Sequence, residues 1–276
     1  MAVLESMDGV EEVQIPIQEL DNAMPIPRQP AWLLNAVPSS ETGKQPVVAV
    51  VIDDLGLSEE ASLLLAQMVG PYTLAYLPYA DNLPDQTALV RAAGHELMVH
   101  LPMQPKNDEA DPGANALLSS LSQEEFDRRV NWNLSRFQGY VGINNHMGSE
   151  LTEDAGAMVR VMVKLREGGH LFLDSLTSPK SVGVRAAKAT GVPYVARDIF
   201  LDNIREANAI EEQLQKLERI ARMRGYAIAI GHPYDITLET LTKWQKTLKD
   251  KEISLVPLSE IVSRQERVRH DTVTAR

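Results

Sequence analysis

The chain has 276 residues, 38 acidic and 27 basic side chains, a formal charge of −11, 44% hydrophobic content and no cysteine. That length can bury a substantial core, as one large domain or two small ones. The missing cysteine excludes disulfides, thiolate zinc sites and cysteine nucleophiles, so any metal must be held by His, Asp or Glu, and the acidic balance argues against a nucleic-acid binder.

In chain order, residues 1–46 come first, with seven acids against Arg28 and Lys44 and six of the sixteen prolines. Such a stretch forms neither helix nor ladder easily and reads as a disordered acidic linker. Residues 47–52 (VVAVVI) are β-branched on both parities, which suits a strand buried on both faces. Ser58 then caps a helix carrying Ala61, Leu64, Leu65 and Met68, stopped by Gly70-Pro71. Strands are predicted at 72–77 and 96–101. Ser122 and Glu125 form a capping box ahead of Phe126, Val130, Leu134 and Phe137. Strands follow at 140–144, 170–174 and 193–197, then a helix with the stripe Ile210, Leu214, Leu217 and Ala221, ended near Gly225. Strands at 226–230 and 253–256 complete a set of eight. Residues 263–276, with four arginines and two acids, read as a frayed tail. The folded region is therefore 47–262. No run of 18 apolar residues reads as a membrane span, and no signal-peptide core precedes a cleavage-like site.

Repeated β-then-α units with short connections imply an α/β fold with parallel strands and outer helices, and eight strands favour a (β/α) barrel over an open doubly wound sheet. Barrel enzymes build their sites at the C-terminal ends of the strands. The polar residues there are Asp53-Asp54, His100, Asn144-Asn145-His146, Asp174, Arg197-Asp198 and Gly231-His232-Pro233. Two adjacent aspartates resist full ionisation unless a cation sits beside them; the bland alternative is a helix-capping pair before Leu57-Ser58-Glu59. His100 or His146 alone reads as a hydrogen-bonded core histidine. With Asp54 on the same rim they form a His-His-carboxylate set with an open position, suited to zinc, iron or another divalent ion. His232 has three open roles: metal ligand, general acid or turn cap. Asp174 either orients a histidine by accepting its ring N–H or makes an Asx-turn into Thr177-Ser178-Pro179. Arg197 pairs with a rim aspartate, or with Asp198 or Asp202.

The strings Val-Ile-Asp-Asp-Leu-Gly (51–56), Gly-His-Glu-Leu-Met-Val-His-Leu-Pro-Met-Gln-Pro (94–105), Asn-Asn-His-Met-Gly-Ser (144–149) and Gly-His-Pro (231–233) resemble the divergent polysaccharide deacetylase family. The resemblance runs over about 46–262. It implies a distorted (β/α) barrel of seven to eight parallel strands, of the glycoside hydrolase/deacetylase type, and metal-dependent amide hydrolysis. By the same resemblance Asp53 is the general base, and Asp54 and His100 are metal ligands. Gln104 stands where a standard deacetylase has its second histidine, with His146 as replacement ligand. His232 is the catalytic acid and Asp174 the candidate to orient it. The arginine of the standard motifs has no clear counterpart, and Arg197 is taken as the partner of Asp53.

The implied cofactor is a divalent metal, zinc first, whose bound water attacks an N-acetyl carbonyl. The implied partner is an acetylated oligo- or polysaccharide of the cell envelope, and the implied location the periplasm or envelope. The alternative is a non-catalytic carbohydrate-binding or scaffolding protein on a degenerate deacetylase barrel, which Gln104 favours.

Overall fold

The apolar run after Pro46 becomes β1 (Val47–Leu55), whose residues are all buried except half-buried Asp54. In the computed structural model, which describes residues 29–39 and 45–274, β1 lies inside a parallel sheet. Its two faces serve two cores. Val47, Ala49 and Val51 point into the barrel, whereas Val48, Val50 and Ile52 pack under the outer helices. That is why apolar residues occupy both parities.

The other strands are β2 (Thr73–Tyr76), β3 (Glu96–Met103), β4 (Gly142–Met147), β5 (Leu171–Asp174), β6 (Tyr194–Ala196), β7 (Ile199–Phe200), β8 (Tyr226–Gly231) and β9 (Ser254–Leu255). Eight of them hydrogen-bond in the order β6-β5-β4-β3-β2-β1-β8-β7, all parallel, with β9 beside the start of β1. The two ends of that order, β6 and β7, are joined in the chain by Arg197 and Asp198 alone. The Cα atoms of Ala196 and Ile199 can therefore be no more than about 10 Å apart, and the sheet must curl round to bring its edges together. Seven predicted strands take places in this curl. The eighth, at 253–256, is the short β9, which shares the β2 edge of β1 at its base. The place in the curl belongs to β7, too short to stand out by pattern.

The helices follow from their ends and stripes. Ser58 Oγ accepts from Ala61 N at 3.3 Å to start α2 (Glu59–Gln67), and α3 (Leu83–Ala92) packs beside it. Ser122 Oγ accepts from Glu125 N at 3.3 Å at the head of α4 (Gln123–Leu134). Only half of the capping box forms, because Glu125 turns its carboxylate to Arg128 and Arg129. A 3₁₀ turn (Leu151–Glu153) precedes α5 (Ala155–Gly168), and α6 (Gly183–Thr190) follows β5. In α7 (Ala207–Arg224) the stripe Ile210, Leu214, Leu217 and Ala221 is buried, and Gly225 ends it with φ 88°. Burying each large member contributes about 1.5–3 kcal/mol. The remaining helices are α8 (Asp235–Gln245) and α9 (Leu258–Thr274). No described helix is long and apolar enough to cross a membrane.

Two expectations about the chain ends change. Residues 1–28 and 40–44 of the predicted linker, and 275–276 of the tail, lie outside the described residues. Residues 30–35, however, dock on the barrel through the short helix α1 (Ala31–Leu34). Trp32 is buried in the inner core, its backbone N–H donates to Gly169 O at 2.9 Å, and Asn35 Nδ2 donates to Tyr140 O at 2.8 Å. The predicted frayed tail is helical through Thr274, because Leu258, Ile261 and Val262 anchor α9 in the same inner core. Buried Glu96 holds that helix start, accepting from Ser259 N and Thr73 Oγ1, both at 3.1 Å. The N-terminal end of the barrel is thus filled, leaving the C-terminal rim for chemistry.

Candidate metal centre

Strand parity directs the first site residue. Val47, Ala49 and Val51 face inward, so Asp53 does too, and it is buried. Asp54 would point outward in a regular strand. Instead its φ is +59°, and the β1–β2 register shifts between Ile52 and Leu55. The left-handed residue costs about 1–2 kcal/mol, a penalty aspartate tolerates better than most, and it brings both carboxylates to the rim.

His100 shares the inward parity of Met98 on β3, and His146 lies opposite Pro102 near the end of β4. Asp54 Oδ1 is 3.2 Å from His100 Nε2 and 2.9 Å from His146 Nδ1. One ligand atom from each of these three residues lies within 4.8 Å of the others. Despite those short distances Asp54 Oδ1 is buried with no hydrogen-bond partner, so neither N–H is aimed at it. Three donor atoms that crowd together without bonding one another fit a shared cation.

The charge balance agrees. Burial opposes ionisation of Asp54, but the adjacent imidazoles of His100 and His146 outweigh it and hold the carboxyl far below the usual range. Burial likewise opposes charge on His100, yet Asp53 and Asp54 lift its pKa to about 9. Asp53 moves the other way: burial raises it, beyond what His100, His232 and the Asn144 amide restore. A pocket negative enough to put protons on imidazole also attracts a cation, and ligation then requires those imidazoles neutral.

On the other flank stands His232, just after β8. Its Nδ1 is 2.9 Å from Asp202 Oδ1, its backbone N–H donates to Asp202 Oδ2 at 2.6 Å, and Thr237 Oγ1 donates to the same oxygen at 2.9 Å. A carboxylate only accepts, so Nδ1 carries a proton and Nε2 faces the rim, 3.8 Å from Asp54 Oδ2. The Phe200 ring stacks on the imidazole at 5.6 Å and 10°. Burial works against the His232 charge, but Asp202 and then Asp53 and Asp54 raise its pKa.

The structure brings Asp53, Asp54, His100, His146 and His232 together, and it does not bring Asp174 or Arg197 to the contacts expected of them. Asp174 Oδ1 accepts from Leu176 N at 2.9 Å in an Asx-turn and Oδ2 from Ser181 Oγ at 2.7 Å. Leu171 and Leu173 take the inward parity of β5, which turns Asp174 towards the start of α6. The group that orients His232 is Asp202. Arg197 donates to Ser175 O at 2.8 Å and Leu176 O at 3.1 Å and lies over Phe200, so Asp53 is paired instead with Asn144, whose Nδ2 donates at 2.8 Å. Gln104 is turned away from the centre. Its Nε2 donates to Glu150 at 3.1 Å, and its Oε1 accepts from Ser119 N at 2.8 Å, tying the excursion after β3 to the 3₁₀ turn. His146 stands among the candidate ligands, and Gln104 is a staple.

A family model described as divergent polysaccharide deacetylase matches residues 50–262. The uncharacterized protein YibQ of Escherichia coli (strain K12) is 32% identical over 216 residues, 78% of this chain and 67% of that protein. An uncharacterized protein of Haemophilus influenzae is 33% identical over 218 residues, 79% of this chain and 77% of its own. A crystal structure of an uncharacterized protein from Agrobacterium tumefaciens superimposes with a TM-score of 0.82 at 26% identity, covering 87% of this chain and 99% of that one.

Proposed function

The chain belongs to the divergent polysaccharide deacetylase family, and from that premise we propose that it is a metal-dependent amide hydrolase removing N-acetyl groups from a cell-envelope glycan. The observation that carries this reading is the unpartnered Asp54 Oδ1 among two imidazoles, with a carboxylate on one flank and a carboxylate-held histidine on the other.

Two imidazoles, one carboxylate and no thiolate suit zinc, with positions left for water and substrate. A divalent cation at Asp54, His100 and His146 supplies Lewis acidity, acidifying water and polarising the acyl oxygen. Asp53 does the base work. Its Oδ1 is occupied by Asn144, its Oδ2 is free to accept a proton, and its raised pKa makes it a stronger base than an exposed aspartate. As water oxygen bonds to the acyl carbon, its proton goes to Asp53. As the C–N bond breaks, the proton on His232 Nε2 goes to the departing nitrogen, leaving acetate and a free amine. Asp202 favours the charged imidazole needed for that transfer.

The test pairs metal content with turnover. Wild type is expected to hold about one zinc per chain and to release acetate from acetylated chitooligosaccharide or peptidoglycan fragments in a chelator-sensitive way. Asp54→Ala and His146→Ala are expected to lose both. Equal metal in wild type and variants would remove the ligand assignment. Metal and glycan binding without acetate release from any such substrate would leave a glycan-binding scaffold in place of an enzyme.

A further inference from the structure

Asn144 is fully buried and lies opposite His100 in the β3–β4 ladder. A buried primary amide has two donors and one acceptor oxygen to satisfy. Here Oδ1 is 2.9 Å from His100 Nδ1, and Nδ2 donates to Asp53 Oδ1 at 2.8 Å and to Ser175 Oγ at 3.2 Å. The amide orientation follows from chemistry. Flipped, it would set its oxygen against the Asp53 carboxylate and its NH₂ against His100, trading two attractions for a repulsion.

That orientation has two consequences. An amide oxygen only accepts, so His100 Nδ1 must carry a proton, and once the ring is neutral, as ligation requires, the lone pair of Nε2 faces Asp54 Oδ1, 3.2 Å away. At the other end, Asp53 Oδ1 is engaged, which turns Oδ2 towards the same space, 3.6 Å from His100 Nε2. The neighbouring Asn145 steadies the arrangement from the opposite parity. Its Oδ1 accepts from Ser175 N at 2.9 Å, and its Nδ2 donates to Met147 O at 2.8 Å.

We propose that Asn144 is a positioning residue that sets both halves of the centre at once, holding His100 as the Nδ1–H tautomer with Nε2 free to ligate and Asp53 with Oδ2 free to take a proton. The role of Asp53 in this statement rests on the hydrolase reading; the tautomer of His100 does not. No neighbouring residue type serves as well. Aspartate keeps the acceptor but faces Asp53 with a second carboxylate, alanine removes all three bonds, and glutamine is a methylene too long for a fully enclosed position.

The two halves are separable by substitution. Zinc affinity is read by competition titration, the tautomer of His100 by the ¹⁵N shifts of its ring nitrogens in metal-free protein at a pH high enough to make the ring neutral, and folding by thermal unfolding. Asn144→Ala is expected to bind zinc about 10–100-fold more weakly and to lose the single-tautomer signature. Asn144→Asp, nearly isosteric, is expected to keep that signature and bind zinc within a few-fold of wild type, while kcat falls with KM unchanged. Wild-type zinc affinity and an unchanged His100 signature in the alanine variant would overturn the proposal. So would an aspartate variant that binds zinc about 10–100-fold more weakly than wild type, and this arm decides the matter even if alanine prevents folding. A wild-type protein with no zinc and no acetate release defeats the hydrolase reading alone, because the ring shifts of metal-free protein still decide the role of Asn144.

Discussion

Two tetrapeptides in this chain are nearly the same, Leu-Phe-Leu-Asp at 171–174 and Ile-Phe-Leu-Asp at 199–202, and they do opposite things. Both end in a buried aspartate at the C-terminal rim. The first stays in the ladder to its last residue, paired with β4 through Leu173 and with β6 through Asp174. Parity therefore turns Asp174 outward, where it braces the loop into α6. The second runs in the opposite phase, with Phe200 on the inner core and Ile199 and Leu201 packed under the outer helices, so the same alternation turns Asp202 inward. Leu201 N–H donates to Ile230 O, and Asp202 closes onto His232 across Gly231. The passage is close: a Cβ at 231 would stand 3.3 Å from Asp202 Oδ2 and 3.2 Å from Leu201 Cδ1, so an added methyl would have to displace them by a few tenths of an ångström. Nearly identical local sequence becomes a loop brace or the partner of a rim histidine according to the face on which pairing sets its aspartate.

The sharpest way to break this contrast is to neutralise each aspartate. Asp202→Asn leaves the imidazole without its charge partner, and kcat for acetate release is expected to fall about 10²–10⁴-fold. Asp174→Asn is expected to leave kcat near wild type and to cost about 1–3 kcal/mol of stability in denaturant unfolding. A reversal of those two outcomes would return the supporting role to Asp174.

A smaller effect belongs to the base of β5. His170 stacks on Tyr140 at 4.6 Å, its Nδ1 is buried without a partner, and burial lowers its pKa to about 4. The folded pKa lies below the unfolded value, so this stability is present above about pH 6.5 and is lost as pH falls towards 4. Unfolding free energy is expected to drop by about 2 kcal/mol between pH 7 and 5 from this group, and His170→Phe should flatten that limb. An unchanged slope in the variant would assign the acid sensitivity elsewhere.

Smallest is the gate on the other strand. Gly231→Ala pushes Asp202 and Leu201 by a few tenths of an ångström, and kcat is expected to fall on the order of tenfold with metal content unchanged. Full activity in that variant would show that the close passage at Gly231 is not what lets Asp202 reach His232.

Much of the architecture was legible because it is local. Seven strands, both serine caps and the α7 stripe follow from side-chain type and period alone. The weaker reading of the ends has a physical cause as well. Trp32 and Ile261 gain their order from a shared inner core contributed by residues far away in sequence, so prolines and charges nearby mislead. In the candidate centre, Asp53, Asp54, His100, His146 and His232 were found as polar residues at strand ends. Their partners Asn144 and Asp202 were not assigned, although Asn144 was seen on the rim and Asp202 carried a signal in its repeat of the 171–174 pattern.

What the amino-acid sequence determined by itself was therefore the inventory: alternating strands and helices, a cysteine-free set of His and Asp on one rim, and the family those motifs resemble. Tertiary structure decided the pairings. Asp54 reaches the rim through a left-handed residue at a register shift, Asp202 reaches His232 because β7 presents it on the inward parity, and Asn144 meets His100 because β3 and β4 align them. Each depends on register between segments distant in the chain, where a one-residue slip reverses every side chain; composition and period within one segment carry no record of it.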